Sequence, residues 1–447
     1  MKSRIYKITA LALTVLLLFG LVACKTTPPP TSSSTAVEAT VAPPQVDPLI
    51  DLVVEKPADP FEGFRSVAYY TDWSIYARNV LVEQIDGNLL THINLAFANL
   101  NKDGSIVPGD PEADFNKPFG TALGGSEEDA NGVYGQLRQL KAKYPHLQTL
   151  ISVGGWSWSE NFSDVAANPT TRDAFAKSCA EFVAKYGFDG VDIDWEYPVE
   201  GGDADVIHHP EDKQNFTLLM KATRLALNEQ GEKDGKRYAL SIAGYADASF
   251  MQNIEPAEVM KYIDFINIMT YDFHGPWDKN TDFNSPMYAD TENNPNKKNA
   301  VCVTAAIDAY LAAGIAPKDI NLGVAFYGRD WGKVESTDNN GVFQKASSLK
   351  GTGIDHGTWE AGVFDCWDIE ENYINKNGYV RYWDEKAQMP YIFNGSTFIN
   401  YEDKESIKVK TDYIKEKGLG GAMFWEFGGD KKLALQTVIA NELALAK

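Results

Sequence analysis

Cysteine is scarce, with four residues in 447. Cys24 stands alone near the N-terminus, and Cys179, Cys302 and Cys366 lie far apart, so no zinc-type spacing exists and no disulfide framework is legible. The three later thiols read as buried apolar side chains, with one pair among them left open. Positive charge is also short: 41 Lys plus Arg face 62 Asp plus Glu, a net charge of −21. A phosphate-binding surface has no electrostatic support at that balance, which argues against nucleic acid as a partner. Histidine is rare too, and the one adjacent pair, His208-His209, has no second cluster beside it. These two read as solvent-facing loop residues, so no metal and no cofactor is implied. Long apolar runs are missing except for one at the N-terminus. Aromatic residues, by contrast, make up 12% of the chain and include ten Trp. That is more than a core of this size needs, and such faces suit flat sugar rings.

The single apolar run spans residues 8–23 and follows Lys2, Arg4 and Lys7. It falls short of the ~20 apolar residues of a membrane span and reads as a secretory leader, residues 1–23. Its ending, Leu21-Val-Ala-Cys24, resembles the bacterial lipoprotein lipobox. The resemblance implies that Cys24 becomes a lipid-modified N-terminus holding the protein to a membrane on the extracytoplasmic side. Lys25 at the next position implies the outer membrane where the host has one. Ordinary secretion with a spare thiol is the alternative. Residues 25–59 are built from Pro, Thr, Ser, Val and Ala without a sustained period, which predicts an extended tether, set at 24–60 with the Cys.

Beyond residue 60, short apolar runs alternate with helical stretches, at 66–71, 93–98, 148–153, 190–194, 238–243, 265–270, 321–326 and 421–425. Strands so uniformly apolar are buried on both faces, and their alternation with helices calls for parallel pairing. Eight such units predict an α/β fold, a (β/α)8 TIM barrel. Helices are expected over 170–186 and 211–229, stopped by Gly187 and Gly231. The gap between Phe326 and Gly421 is far longer than a strand-to-helix connection needs. Within it, Asn394-Gly395 signals a hairpin. The expected organisation is therefore a barrel over 61–334 and 406–447, with a small α+β insertion at 335–405 between strand seven and helix seven. A helix over 406–417 returns from it, closed by Gly418.

The densest chemical signal is Asp189-Gly-Val-Asp192-Ile-Asp194-Trp-Glu196-Tyr-Pro198. Alternate residues of a strand share a face, so Asp192, Asp194 and Glu196 form a row stepping about 6.6 Å along the barrel axis. Three carboxylates in a partly dry barrel cannot all ionise, so protons are shared and at least one pKa is raised, the condition for a general acid near neutral pH. Glu196, nearest the open end, is the expected acid. Asp189, at an odd offset, is expected to point away and serve the fold. A calcium loop fits poorly, since Tyr197 stands where a glycine is needed.

This string resembles the active-site signature of glycoside hydrolase family 18, the chitinases. Seven further segments agree in order: Ser152-Val-Gly-Gly-Trp156, Met269-Thr-Tyr271-Asp272, Phe326-Tyr327-Gly328-Arg329, Ala422-Met423-Phe424-Trp425, Ser241-Ile-Ala-Gly244, and the first two strands with Tyr70 and Phe97. The resemblance covers residues 64–445. It implies hydrolysis of β-1,4 bonds between N-acetylglucosamine units of chitin or chito-oligosaccharides, with the substrate's own acetamido oxygen as nucleophile and an oxazolinium intermediate, an exception to the two-carboxylate pattern. By the same resemblance Glu196 is the acid and then the base. Asp194 holds the acetamido N–H and shares a proton with Asp192, Tyr271 orients the acetamido oxygen, and Asp272 bonds the distorted sugar. Trp425 is the floor; Tyr70, Phe97, Trp156, Met269, Trp277 and Arg329 are the remaining substrate-contact positions. Two rival readings are an endo-β-N-acetylglucosaminidase acting on N-glycans or peptidoglycan and a catalytically silent chitin-binding lectin. Nothing calls for a partner chain, and a monomer is expected.

Overall fold

A computed structural model describes residues 47–295, 301–346 and 357–445. The leader 1–23, Cys24 and the first part of the tether lie outside the described residues.

Eight strands run Arg65–Thr71, His92–Leu100, Gln148–Gly154, Gly190–Asp194, Ala239–Tyr245, Phe265–Met269, Ile320–Ala325 and Gly421–Trp425. Each pairs in parallel with the next, and the first pairs with both the second and the eighth, which closes a (β/α)8 barrel. Nearly every strand residue is buried, as expected where one face meets the helices and the other the lumen. The two faces carry separate clusters. The large core, with Tyr70, Ile151, Ile193 and Phe424, fills the space under the helices, while Val67, Tyr69, Ala96, Phe97, Leu150, Phe265 and Met423 fill the lumen.

The helix Pro169–Tyr186 begins where Asn168 accepts from Thr170 N and ends at Gly187 in the left-handed region, so its stop lies where the sequence puts it. The next helix does not stop at Gly231. It runs Asp212–Asp234 and ends at Gly235, φ +66°. Gly231 has a different task, because a Cβ there would meet Lys236 O at 2.4 Å. The missing side chain lets the returning backbone cross close to the helix. Cys179, Cys302 and Cys366 are buried free thiols, which leaves no pair among them. Among the described residues, no helix is long and apolar enough to cross a membrane.

Two expected boundaries shift. Residues 47–60, which composition assigns to the tether, are strapped to the barrel. Asp47 pairs with Arg172, Lys221 Nζ donates to Ile50 O (3.3 Å), Lys56 Nζ donates to Ile263 O (2.6 Å) and Asp59 pairs with Arg65 at 2.8 Å. Three of these four contacts come from isolated charges, Asp47, Lys56 and Asp59, in an otherwise tether-like composition. The insertion also begins earlier than 335. Its antiparallel sheet, in the order Val363–Asp365, Tyr327–Trp331, Phe398–Asn400, Met389–Phe393, Val380–Asp384, takes its second strand directly from the end of barrel strand seven. The Asn394-Gly395 turn joins two of these strands, with Asn394 Oδ1 accepting from Thr397 N at 2.7 Å and Gly395 at φ +89°. Helix Lys404–Lys417 leads back, capped by Asp403 and closed by Gly418.

Candidate active site

The site is built on the fourth strand. Asp192, Asp194 and Glu196 face the lumen side while Ile193 and Trp195 pack outward, the Trp195 ring stacked on Phe162 at 5.3 Å. Strand register places Ser152, Asp192 and Ser241 side by side. Both hydroxyls therefore reach Asp192: Ser152 Oγ donates to Oδ2 at 2.8 Å and Ser241 Oγ to Oδ1 at 2.6 Å, with Tyr69 OH donating to Oδ2 at 2.7 Å. Burial raises the Asp192 pKa and these donors oppose the rise. Asp194 has no such support. It is buried, its Oδ1 has no hydrogen-bond partner, and burial followed by the charges of Glu196 and Asp192 holds its pKa well above the ordinary value. Glu196 is 8% exposed, and burial, with a contribution from Asp272, pushes it up to about 7. Its backbone N donates to Ser159 Oγ at 2.9 Å, and that hydroxyl also donates to Gly155 O at 2.9 Å. The row thus has a supported carboxylate at the bottom, an unsupported one in the middle and an acid that still holds its proton near pH 7 at the top. Protons are shared along such a row rather than owned by one residue.

Tyr70 does not belong to this group. Its ring packs against Phe427 at 6.0 Å under the helices and its hydroxyl donates to Val80 O at 2.8 Å. The lumen residue is its neighbour Tyr69, because on the first strand Val67 and Tyr69 carry the inward parity. The other aromatic positions do converge. Phe97 lies parallel to Trp425, 5.7 Å away at 18°, and Tyr69 sits 5.7 Å from the same indole. Trp73 extends this aromatic surface beyond Phe97 (6.2 Å) and is 40% exposed. Trp156 and Trp277, at 51% and 56% exposed, lie in loops beyond strands three and six.

On the opposite side of the row, Met269 ends the sixth strand half-buried against the lumen cluster. The Tyr271 phenol donates to Met423 Sδ at 3.7 Å, its ring lies 6.2 Å from that of Tyr327, and burial, followed by Tyr327 and the charge of Asp194, raises its pKa. Asp272 has a left-handed backbone, φ +57°, held by a bond from its N to Asn284 Oδ1 at 2.7 Å. Its Oδ1 accepts from Tyr327 OH (2.7 Å) and Arg329 Nε (2.6 Å). The Arg329 guanidinium lies 4.9 Å from the Trp277 ring centroid. Arg329 therefore fixes Asp272 and Trp277 together. Asp189 points out of the row to Lys141 at 2.6 Å, and His209 Nε2 meets Asp164 at 3.3 Å. Among the described residues, no group of three His, Cys, Asp or Glu is arranged to hold a metal ion.

Tyr69, Trp73 and Ser159 are the participants that pattern reading misses, while Tyr327 is quoted in the strand-seven segment without a role. Once strand pairing fixes the parity, Tyr69 falls with Val67 on the lumen face, but the sequence alone marks it only as an aromatic residue near a strand end. A tryptophan just past a strand end, as Trp73 is, is a weaker signal of the same kind. Chemically the cleft offers one proton donor poised near neutrality, a buried acceptor oxygen with no partner beside it and an aromatic floor. Of its other carboxylates, Asp192 is held by three hydroxyl donors and Asp272 is tied to an arginine, so both are poor nucleophiles.

The Glycosyl hydrolases family 18 profile matches residues 65–430. Chitinase A1 of Niallia circulans is 43% identical over 421 residues, covering 86% of this chain and 59% of that protein, so the chain spans less than two thirds of this relative. The solved structure of chitinase ChiA74 from Bacillus thuringiensis superposes with a TM-score of 0.79 at 40% identity, over 86% of this chain and 71% of that one. A family 18 N-acetylglucosaminidase from Paenibacillus barengoltzii superposes with a TM-score of 0.71 at 35% identity, over 85% and 99%.

Proposed function

The chain belongs to glycosyl hydrolase family 18, and on that premise we propose that it hydrolyses β-1,4 bonds between N-acetylglucosamine units of chitin and chito-oligosaccharides with retention. The single observation that carries the mechanism is the pairing of an acid near pH 7, Glu196, with a buried Asp194 oxygen that has no partner. Glu196 gives its proton to the glycosidic oxygen as the C1–O bond breaks. The carbonyl oxygen of the substrate's 2-acetamido group bonds to C1 at the same time, giving an oxazolinium ion. Asp194 accepts the acetamido N–H, filling the oxygen left open in the free enzyme, and Tyr271 donates to the acetamido oxygen. Holding that group in place replaces a second molecule by an intramolecular partner. Water then attacks C1, gives its proton to the Glu196 carboxylate and opens the ring. Asp192, held by three hydroxyls, accepts the shared proton when Asp194 ionises. Asp272 bonds the sugar at the cleavage site, Trp425 and Phe97 lie beneath it, and Trp156 and Trp277 stack leaving-group sugars.

Residues 1–23 are, on this reading, a leader and Cys24 a lipidated N-terminus, followed by the Pro-, Ser- and Thr-rich tether of an extracytoplasmic enzyme that acts as a monomer. The experiment that tests the reading is digestion of a reducing-end-labelled N-acetylglucosamine hexasaccharide. Internal cleavage or release of dimers supports chitinase action. Single sugars from the non-reducing end would favour the activity named for the Paenibacillus relative, and binding without cleavage would leave a lectin.

A further inference from the structure

Beside the loop that carries the acid there is a hollow of about 360 Å3 that the reaction above leaves unused. One wall is the segment following Glu196, with Tyr197, Pro198 and Glu200. The other follows the fifth barrel strand, with Tyr245, Asp247 and Asn253. The Tyr245 ring rests on Tyr197, centroids 4.4 Å apart, yet remains 41% exposed at the end of a strand that is otherwise buried. It is a fixed platform, since Tyr310 OH donates to Tyr245 O at 2.7 Å. The two carboxylates are fixed as well. Asn253 Nδ2 donates to Glu200 Oε1 at 3.0 Å, and Asp247 Oδ1 accepts from Ser249 N at 2.8 Å. Each keeps its second oxygen out of these bonds. Both lie close enough to Tyr245 to push its phenol up, after burial. No lysine or arginine lines the hollow.

An open aromatic face between two carboxylates suits a particular ligand. The C–H face of a sugar stacks on the ring, and a cation on that sugar gains from the carboxylates and from the ring itself. A neutral acetamido group gains neither. The fifth strand also stands between the third and the sixth, beyond which Trp156 and Trp277 emerge, so the hollow lies on the arc assigned to leaving-group sugars. We infer that it is a leaving-group-side subsite for a sugar unit bearing a free, protonated 2-amino group. Among chains with an acetylated unit at the cleaved bond, the hollow then selects those with an amino sugar beyond it on the leaving-group side. This rests on the proposed function, which fixes where the acetylated unit must sit.

The test compares kcat/KM at pH 6 for two soluble oligosaccharides of equal length. One is fully acetylated; the other carries a single glucosamine on the leaving-group side. Wild type, Glu200→Gln, Asp247→Asn, the double variant and Glu232→Gln, an exposed acid at the C-terminal end of the helix Asp212–Asp234, are assayed at low and high salt. An exposed charge pair contributes up to about fivefold. Each single variant should therefore lose about threefold and the double variant about tenfold on the amino-bearing substrate alone, with the loss shrinking in 1 M salt as screening tightens. Equal losses on both substrates, no selective loss, or the same loss in Glu232→Gln would overturn the inference while leaving the enzyme's function intact. Failure of wild type to cleave the fully acetylated oligosaccharide would instead overturn the function on which it rests. Thermal melting of each variant separates a lost contact from a lost fold.

Discussion

Replacing Glu196 by Gln should disable the enzyme and stabilise it above neutral pH. In the folded chain this carboxyl titrates at about 7, against an ordinary 4.5 when the chain is unfolded. Below pH 4.5 both states hold the proton, and the group makes no difference to stability. As pH rises from 4.5 to 7 the unfolded chain releases the proton while the folded chain keeps it, so stability falls, and above 7 the loss is complete. At 1.36 kcal/mol for each unit of pKa, the shift amounts to on the order of 3 kcal/mol. Gln has nearly the same shape and no proton to release, so it escapes this loss. It also lifts the charge that, after burial, does most to raise Asp194, which acts in the same direction. Guanidinium unfolding of both proteins at pH 4.5 and pH 8 measures the effect. The variant's stability relative to wild type should rise by on the order of 3 kcal/mol between the two pH values, with turnover at least about 100-fold lower throughout. A stability difference that is the same at both pH values would show that Glu196 does not titrate as its burial requires.

Four further outcomes are expected. Tyr69→Phe removes one of three donors to Asp192, so the acid limb of the pH–rate profile should move upward, whereas Tyr70→Phe should leave the profile unchanged and cost about 1 kcal/mol of stability; identical profiles for the two would place Tyr69 outside the proton-sharing row. Asp194→Asn should lose activity and narrow the pH profile, and an unaltered profile removes Asp194 from the mechanism. A thiazoline analogue of the oxazolinium ion should inhibit competitively and bind more weakly to Tyr271→Phe, while trapping of a glycosyl ester on any Asp or Glu would place the nucleophile on the protein. Cys24→Ala should move the protein from the membrane fraction to the soluble fraction with turnover unchanged, and retention in membranes would refute lipidation at that residue.

The barrel is legible because its strands are buried on both faces, so each appears as a short apolar run whichever face a residue takes. That uniformity also hides parity. Tyr69 and Tyr70 look alike in the sequence, and only the pairing of the strand with its neighbours decides that Tyr69 meets Asp192. The acid row escapes the problem because three carboxylates at alternate positions in an apolar strand leave one arrangement open. Local signals work where the cause is local, as at Gly187, Gly418 and Asn394-Gly395. They fail where the cause is a distant contact. Residues 47–60 are ordered by Arg172, Lys221 and Ile263, all far away in the chain. The clamp of Tyr327 and Arg329 on Asp272 likewise requires knowing that the seventh strand continues into another sheet.

That continuation has a consequence for how the enzyme fails on heating. Tyr327 and Arg329 grip Asp272, but the backbone that carries them is hydrogen-bonded to Val363–Asp365 and Phe398–Asn400 of the insertion. The grip therefore depends on a five-stranded antiparallel sheet as well as on the closed ring of parallel strands from which its second strand emerges. Local opening in proteins proceeds in such separate units, below the cost of global unfolding. Fraying of this sheet would free Asp272 and take the arginine from beneath Trp277 while the barrel still stood. Activity would then disappear at a lower temperature than helical circular dichroism does, with the working ceiling of the enzyme set at the seam between its two sheets.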